Sequence, residues 1–290
     1  MNLIIESNNL YSIFNNIKNN ISEDNFIDLL EFIVLNDFSL TLIDDELMSS
    51  SFELLYSTKN LEFNDDLILI NRMLERGSYF DEDEYRIERE KINHPNNTLE
   101  LNRIFETNTS FESNNPNSIY LSNPDENHRL INSVDKFKKF GYMLSTSFSN
   151  PDDYIGFIKK ICSNLIFDAN IIDSISRLTE PFLNRKHEIS YHLYIIDKEV
   201  PLIVSQGITS YRQIGDSISI TCSPERDRDT VQNSLTVIYN ESELNCELHT
   251  KLKRVGDRPP DRIYFCPCIP EDVCPTNFGK IYIYQITKHV

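Results

Sequence analysis

The sequence predicts an α+β fold: a mainly helical N-terminal half followed by a C-terminal antiparallel β-sheet. Three observations lead there. Apolar residues recur at helical spacing through the early chain, whereas short β-branched and aromatic runs separated by turn residues follow Ser217. Charge divides the chain as well, residues 1–246 holding 21 Lys and Arg against 40 Asp and Glu, and residues 247–290 holding seven against five. With 290 residues, 40% hydrophobic and 11% aromatic, the chain can bury a sizeable core. Two domains are expected: a helical domain over 1–93, an Asn, Ser and Pro-rich connection over 94–122, and an α+β domain over 123–290.

Leu10, Ile13, Phe14 and Ile17 form one apolar stripe, and Phe26, Leu29, Leu30, Ile33 and Val34 repeat it after Ser22, a suitable N-cap. Asn64 opens "DDLILINRMLERG", with acids at the start, Arg76 at the end and Gly77 as a stop. A further helix is expected over 81–92. Asn123 to Gly141 carries an Asn cap, a first-turn Pro, early acids, late lysines and a terminal glycine. "YMLSTSF" then reads as a strand, and Asn150-Pro-Asp opens another amphipathic helix. Glu188 to Asp197 fits a strand or a helix equally. "SISITC", "SLTVIY", "CELHTKLK", "DRIYFC" and "GKIYIYQIT" read as an antiparallel meander. No internal repeat is visible.

The N-terminus lacks the basic segment and small-residue cleavage site of a secretory signal, and no apolar run approaches the roughly 18 residues of a membrane span. A cytoplasmic protein without a membrane partner is expected, its six cysteines held as thiols. The acidic body favours solubility and opposes long-range attraction to nucleic acid, but a local basic patch acts within a Debye length of roughly 8 Å.

Such a patch is predicted by alternation. In the strand from Cys246, the residues Cys246, Leu248, Thr250 and Leu252 face the core, leaving Glu247, His249, Lys251 and Lys253 on the other side. In the next strand Arg262, Tyr264 and Cys266 join that side, and in the last strand Tyr282 and Tyr284 do so, with Arg254 and Arg258 in the nearby turn. Cations interleaved with flat rings suit phosphates and unstacked bases, so Lys251, Lys253, Arg254, Arg258, Arg262, Tyr282 and Tyr284 are the candidate anion-binding residues. Metal-independent RNA cleavage needs a base, a cation over the phosphate and an acid, and His249, Lys251, Arg262 and Tyr264 supply those types.

"HTKLKRVGDRPPDRIYF" followed by "GKIYIYQITKHV" resembles the C-terminal module of bacterial proteins of accessory or defence-system type, over some 45 residues. The same strands are also similar to the sheet of RelE-type RNA-cleaving toxins. In those toxins a helix pair directly precedes the sheet, whereas here the nearest clear helix signal lies far upstream.

"CPCIPEDVC" supplies Cys266, Cys268 and Cys274 for zinc, with Cys246, His249 or His289 as a fourth ligand, although C-x-C-x5-C lacks a paired C-x2-C. No other cofactor is expected. "SPERDRDT" offers Arg226 and Arg228 to a phosphate or forms a self-compensated turn, and neither a P-loop nor a dinucleotide fingerprint is present. The leading expectation is a binding component of a bacterial accessory or defence system that engages nucleic acid, RNA foremost, or another anion through the basic sheet. A metal-independent ribonuclease toxin using the same face is the first alternative. An acidic partner-binding protein of immunity or inhibitor type is the second.

Overall fold

A computed structural model describes residues 2–5, 13–17, 19, 21–43, 64–80, 118–121 and 133–290. The fold is α+β, in two compact units: Met1–Ile104 with Phe111–Leu144, and Phe105–Ser110 with Ser145–Val290. The division at Leu144 and Ser145 differs from the expected boundary in 94–122. The helix expected over 81–92, and all of that connection except Ser118–Leu121, lie outside the described residues.

The first unit is not purely helical. Strands β1 (Asn2–Ile5), β2 (Ser39–Ile43), β3 (Ser78–Phe80) and β4 (Ser118–Leu121) form a parallel sheet in the order β3-β2-β1-β4. Helices α1 (residues 13–17), α2 (Asp24–Leu35) and α3 (Asn64–Leu74) alternate with them. A tight turn carries α2 into β2: Phe38 N–H reaches back to the Ile33 carbonyl at 3.0 Å, and Asp37 takes the left-handed conformation, φ 54°, that this closure requires. Phe14, Leu29, Leu30, Ile33, Ile70 and Leu74 build the core, joined by Phe137 of α4 (Val134–Ser145), whose ring meets those of Phe32 and Phe38 edge-on.

Helix α4 corrects two expectations. It runs through Gly141 rather than stopping there, and Tyr142 to Ser145 are its last turn rather than part of a strand. Tyr142, Met143 and Leu144 are all buried, so burial on successive residues produced the strand-like pattern.

In the second unit, α5 (Pro151–Ile161) begins as its sequence predicts, the Asn150 side chain accepting from Asp152 N–H at 2.9 Å with Pro151 in the first turn. Helix α6 (Ile171–Ile175) and the 24-residue α7 (Phe182–Ser205) follow, which settles the ambiguous Glu188–Asp197 segment as helix. Pro201 inside α7 has no N–H to offer the Asp197 carbonyl, and Asn164 Nδ2 donates to that carbonyl instead, at 2.9 Å. The Asn164 N–H also reaches the Asp197 carboxylate at 3.0 Å. Helix α8 (Tyr211–Ser217) packs so closely on β6 (Cys222–Pro224) that a side chain on Gly215 would meet the Cys222 carbonyl at 3.1 Å. The strand expected over Ser217–Cys222 is thereby reduced to its last residue.

The sheet of this unit has the order β5-β11-β10-β9-β6, built from β5 (Leu165–Phe167), β9 (Leu248–Lys251), β10 (Arg262–Cys266), β11 (Ile281–Thr287) and β6. Its β6, β9, β10 and β11 are antiparallel as expected, whereas β5 joins β11 in parallel. Strands β7 (Thr236–Tyr239) and β8 (Ser242–Asn245) leave the meander and make a separate hairpin, turned by Asn240 and Glu241 at φ 50° and 67°.

Helix α7 is tied to the sheet by a buried ion network. Arg185, 4% exposed, has Nη2 3.3 Å from the fully buried Asp261 carboxylate, donates from Nη1 to Glu188 at 2.9 Å and from Nη2 to the Lys253 carbonyl at 2.8 Å. Glu188 also accepts the Lys253 N–H, and Asp261 accepts the Thr179 N–H at 3.0 Å. On the same helix the buried His192 ring shares a 2.9 Å hydrogen bond with Thr250 Oγ1 of β9.

Arg185→Ala leaves the Asp261 carboxylate buried without its cation and is expected to cost about 3 to 5 kcal/mol in urea unfolding. Arg212→Ala, which removes the exposed Arg212–Asp216 pair at 4.0 Å, is expected to cost less than about 1 kcal/mol. Equal losses would show that the Arg185 network does not hold the fold.

Candidate functional site

Strand pairing brings the predicted side chains together. Lys251 of β9 sits opposite Arg262 of β10, and His249 opposite Tyr264, so all four share one face of the sheet. A bulge in β11 places Tyr264 opposite Gln285 but Phe265 opposite Ile283, leaving Tyr284 as the extra residue. Tyr282 pairs with Cys266 and so lies on the face of Tyr264.

The face is closed rather than open to solvent, which corrects the expected exposure. Tyr264 is fully buried, His249 is 2% exposed, Arg262 8% and Tyr282 5%. Between β6 and β9 the chain leaves the sheet, forms a wide π-helical turn at Val231–Leu235 and the β7–β8 hairpin, and packs both onto the face. Val231 and Leu235 cover Tyr264, while Leu244, Val237 and Tyr239 pack with Cys246, Cys266 and Tyr282. Tyr282 donates to the Asp168 carboxylate at 2.7 Å and stacks obliquely on Tyr239, so it serves this second core. Tyr284, half-buried at the bulge, belongs to the same packing.

Arg262 is the centre of what remains polar. Its side chain runs along the sheet, guanidinium 5.9 Å from the Tyr264 ring centre, and Nη1 donates to the Tyr264 hydroxyl at 3.2 Å and to the Glu225 carboxylate at 2.6 Å. The His249 ring lies 5.1 Å from that of Tyr264, its Nδ1 3.2 Å from the Glu247 carbonyl. Glu225, just beyond β6, accepts from the N–H groups of Arg226 and Asp227, at 2.8 and 3.4 Å, and His289 Nε2 stands 4.0 Å from it. Arg228 braces the loop, donating to the Glu247 carboxylate and to the Glu225 carbonyl, each at 2.9 Å.

Two buried nitrogens at this centre, Arg262 Nε and His249 Nε2, have no hydrogen-bond partner. Such groups are uncommon in folded interiors, where nearly every buried donor and acceptor is matched.

Protonation follows from burial and neighbours. Desolvation, reinforced by the adjacent Arg262, lowers His249 to about 4, and desolvation alone lowers His192 to about 4, so both rings are neutral near pH 7. Burial pushes the Glu225 carboxyl up, but the Arg226 N–H and the Arg262 guanidinium outweigh it and hold the group below its ordinary value. Burial raises the Tyr264 phenol, which therefore stays protonated.

The other predicted residues are placed elsewhere. Lys251 is half-buried at the rim, and Lys253 is exposed with its backbone engaged by Glu188 and Arg185. Arg254 closes its own turn by donating to the carbonyls of Asp257 and Arg258, at 2.8 and 3.1 Å, and Arg258 is exposed in that turn. The Cys266 thiol faces the Cys268 carbonyl at 3.3 Å, Cys268 is half-buried, and the Cys274 thiol faces the Thr276 hydroxyl at 3.3 Å. Among the described residues no three His, Cys, Asp or Glu side chains are grouped to hold a metal ion. No helix among them is long and apolar enough to cross a membrane.

Sequence reasoning missed Glu225 as the partner of Arg262 and the pairing of Glu247 with Arg228, considered His289 only as a zinc ligand, and read Arg228 as a phosphate ligand or part of a self-compensated turn. The mixed-charge run "SPERDRDT" was the only signal for Glu225 and Arg228, and it carries no information on which strand it returns to.

No protein-family model, curated protein or solved structure matches the chain. The site therefore rests on its own geometry.

The two histidines make a pH expectation. Their native pKa values lie below the ordinary 6.5, so the unfolded chain takes up protons first, and the stability they confer is complete above pH 6.5 and lost as pH falls toward 4. The slope approaches about 1.4 kcal/mol per pH unit for each histidine. Urea unfolding between pH 7.5 and 5 should show this loss, and the double variant His192→Gln, His249→Gln should flatten it.

Proposed function

We propose that this chain binds a phosphate-bearing anion, RNA foremost, at the recessed cationic cluster centred on Arg262. The observation that carries the reading is an arginine more than nine-tenths buried whose Nε–H, together with the lone nitrogen of His249, has no partner within the protein. Arg185 Nε also lacks a hydrogen bond but faces the Glu180 carboxylate at 3.8 Å, whereas a buried charged donor with no acceptor beside it is left to complete its hydrogen bonding with a ligand. Lys251, Arg228 and His289 surround the cluster with further donors, and guanidinium geometry matches phosphate oxygens in pairs. The acidic body then limits binding to ligands that reach this one basic region, giving a binding component rather than a general nucleic-acid protein. The resemblance of the last strands to bacterial accessory and defence proteins suggests the setting, in the cytoplasm.

A ribonuclease reading has one observation in its favour. His249 is neutral, as a general base must be, and it stands beside a protonated phenol and a guanidinium. In that case cleavage of a labelled RNA persists in EDTA and is abolished by His249→Gln while binding remains.

Fluorescence anisotropy with a labelled single-stranded RNA tests binding itself. Affinity is expected to fall steeply with salt, and Lys251→Ala to lower both the affinity and the salt slope, the latter by roughly 0.7 for each phosphate that Lys251 neutralises. Arg262→Ala should weaken binding by about tenfold or more, its folding checked by circular dichroism. Salt-independent affinity, or full binding by both variants, would refute the reading.

A further inference from the structure

Resting on that reading, we infer that the ligand group is a terminal phosphate monoester, the phosphorylated end of an RNA or a nucleotide, and that the Glu225 carboxylate occupies its place until it binds. The shape of the site is the first argument. Tyr264 lies beneath Val231 and Leu235 of the π-helical turn, and His249 and Arg262 are 2% and 8% exposed, so the donors are not displayed along an open surface. An internal phosphodiester is flanked by chain on both sides and needs an open groove to approach. A terminal phosphate projects beyond its sugar and can enter end-on.

Glu225 supplies the second argument. Its carboxylate gathers the donors an anion would use: Arg262 Nη1 at 2.6 Å and the N–H groups of Arg226 and Asp227, with His289 Nε2 at 4.0 Å. Its side chain is 12% exposed, and it is carried on the short stretch between β6 and the turn at Arg228, so it stands at the edge of the buried cluster. Yet a carboxylate has two oxygens and one charge. It leaves Arg262 Nε and His249 Nε2 unmatched, whereas a monoester offers three oxygens, close to two charges and, when singly protonated, a hydroxyl for the His249 nitrogen. The larger anion fills what the smaller one leaves.

The surroundings carry further donors. Arg228, with a side chain 65% exposed, holds the Glu225 carbonyl, and His289 is 35% exposed beside the carboxylate. Displaced outward, Glu225 would meet these groups, which makes the exchange a competition between two anions for one guanidinium.

The test is a set of affinities for the full chain. Probes are a uridine hexamer with 5′-phosphate, the same hexamer with 3′-phosphate, the hexamer with hydroxyls at both ends, and uridine monophosphate. A phosphorylated hexamer is expected to bind at least about tenfold more tightly than the hydroxyl hexamer. Glu225→Gln, which keeps the size and removes the charge, should tighten the phosphorylated probe several-fold and leave the hydroxyl probe unchanged, and Glu225→Ala should do the same. Uridine monophosphate matching the phosphorylated hexamer assigns the site to a free nucleotide, and a hexamer preference assigns it to an RNA end; each supports the inference. Equal binding of phosphorylated and hydroxyl hexamers overturns it while the proposed function stands, and an unchanged affinity in both Glu225 variants overturns the role of Glu225. If no probe binds, both readings fall.

Discussion

The Arg185–Asp261 ion pair is the constraint on which the second unit depends. A guanidinium and a carboxylate removed from water are unfavourable unless each is matched, and here matching requires α7, the residue before β10 and the connection after β9 to meet at one point. Asp261 and Arg262 are neighbours on an extended chain and therefore point to opposite sides. One is anchored to the helix, and the other is delivered to the far face at the level of Glu225. Arg262 is thus positioned through the single peptide unit that joins it to Asp261, the partner of Arg185.

The two faces of the sheet consequently have different characters. Toward the helices, Leu248, Ile263, Phe265 and Ile283 make an apolar contact in which the His192–Thr250 hydrogen bond is a buried polar link. Toward the hairpin, tyrosines, thiols and a few charges mix, and packing is achieved with aromatic rings that each bring a polar atom needing a partner. Tyr282 finds Asp168, Tyr211 finds the Asn245 carbonyl, and Asn277 donates to Tyr239. Around Arg262 that matching is incomplete, Arg262 Nε and His249 Nε2 having no hydrogen-bond partner.

Legibility in the sequence followed the range of the interactions concerned. The start of α5 was readable because Asn150, Pro151 and Asp152 act within one turn, and the pairing of His249 with Tyr264 followed from alternation alone. Helix α7 was ambiguous because residues around its circumference, Leu193, Tyr194, Ile195 and Ile196, are all buried, which erases the one-sided pattern of a surface helix. The parallel sheet of the first unit escaped notice since its strands have only three to five residues, too few for a period to stand out beside the longer helical stripes. Exposure of the basic face was misjudged because its cover is supplied by residues 231–245, and alternation within a strand says nothing about what folds over it.

Pro201 shows how a defect in one element becomes an address for another. The carbonyl it strands within α7 is met by Asn164, whose own carbonyl receives the Ile281 N–H at 2.7 Å where β11 starts beside β5. The alignment of an edge strand is thus encoded in a helix, at a residue usually regarded as a breaker. Positions 164 and 201 are therefore coupled across the fold: an ordinary residue at 201 would supply the N–H that the helix lacks and compete with the Asn164 side chain for the Asp197 carbonyl.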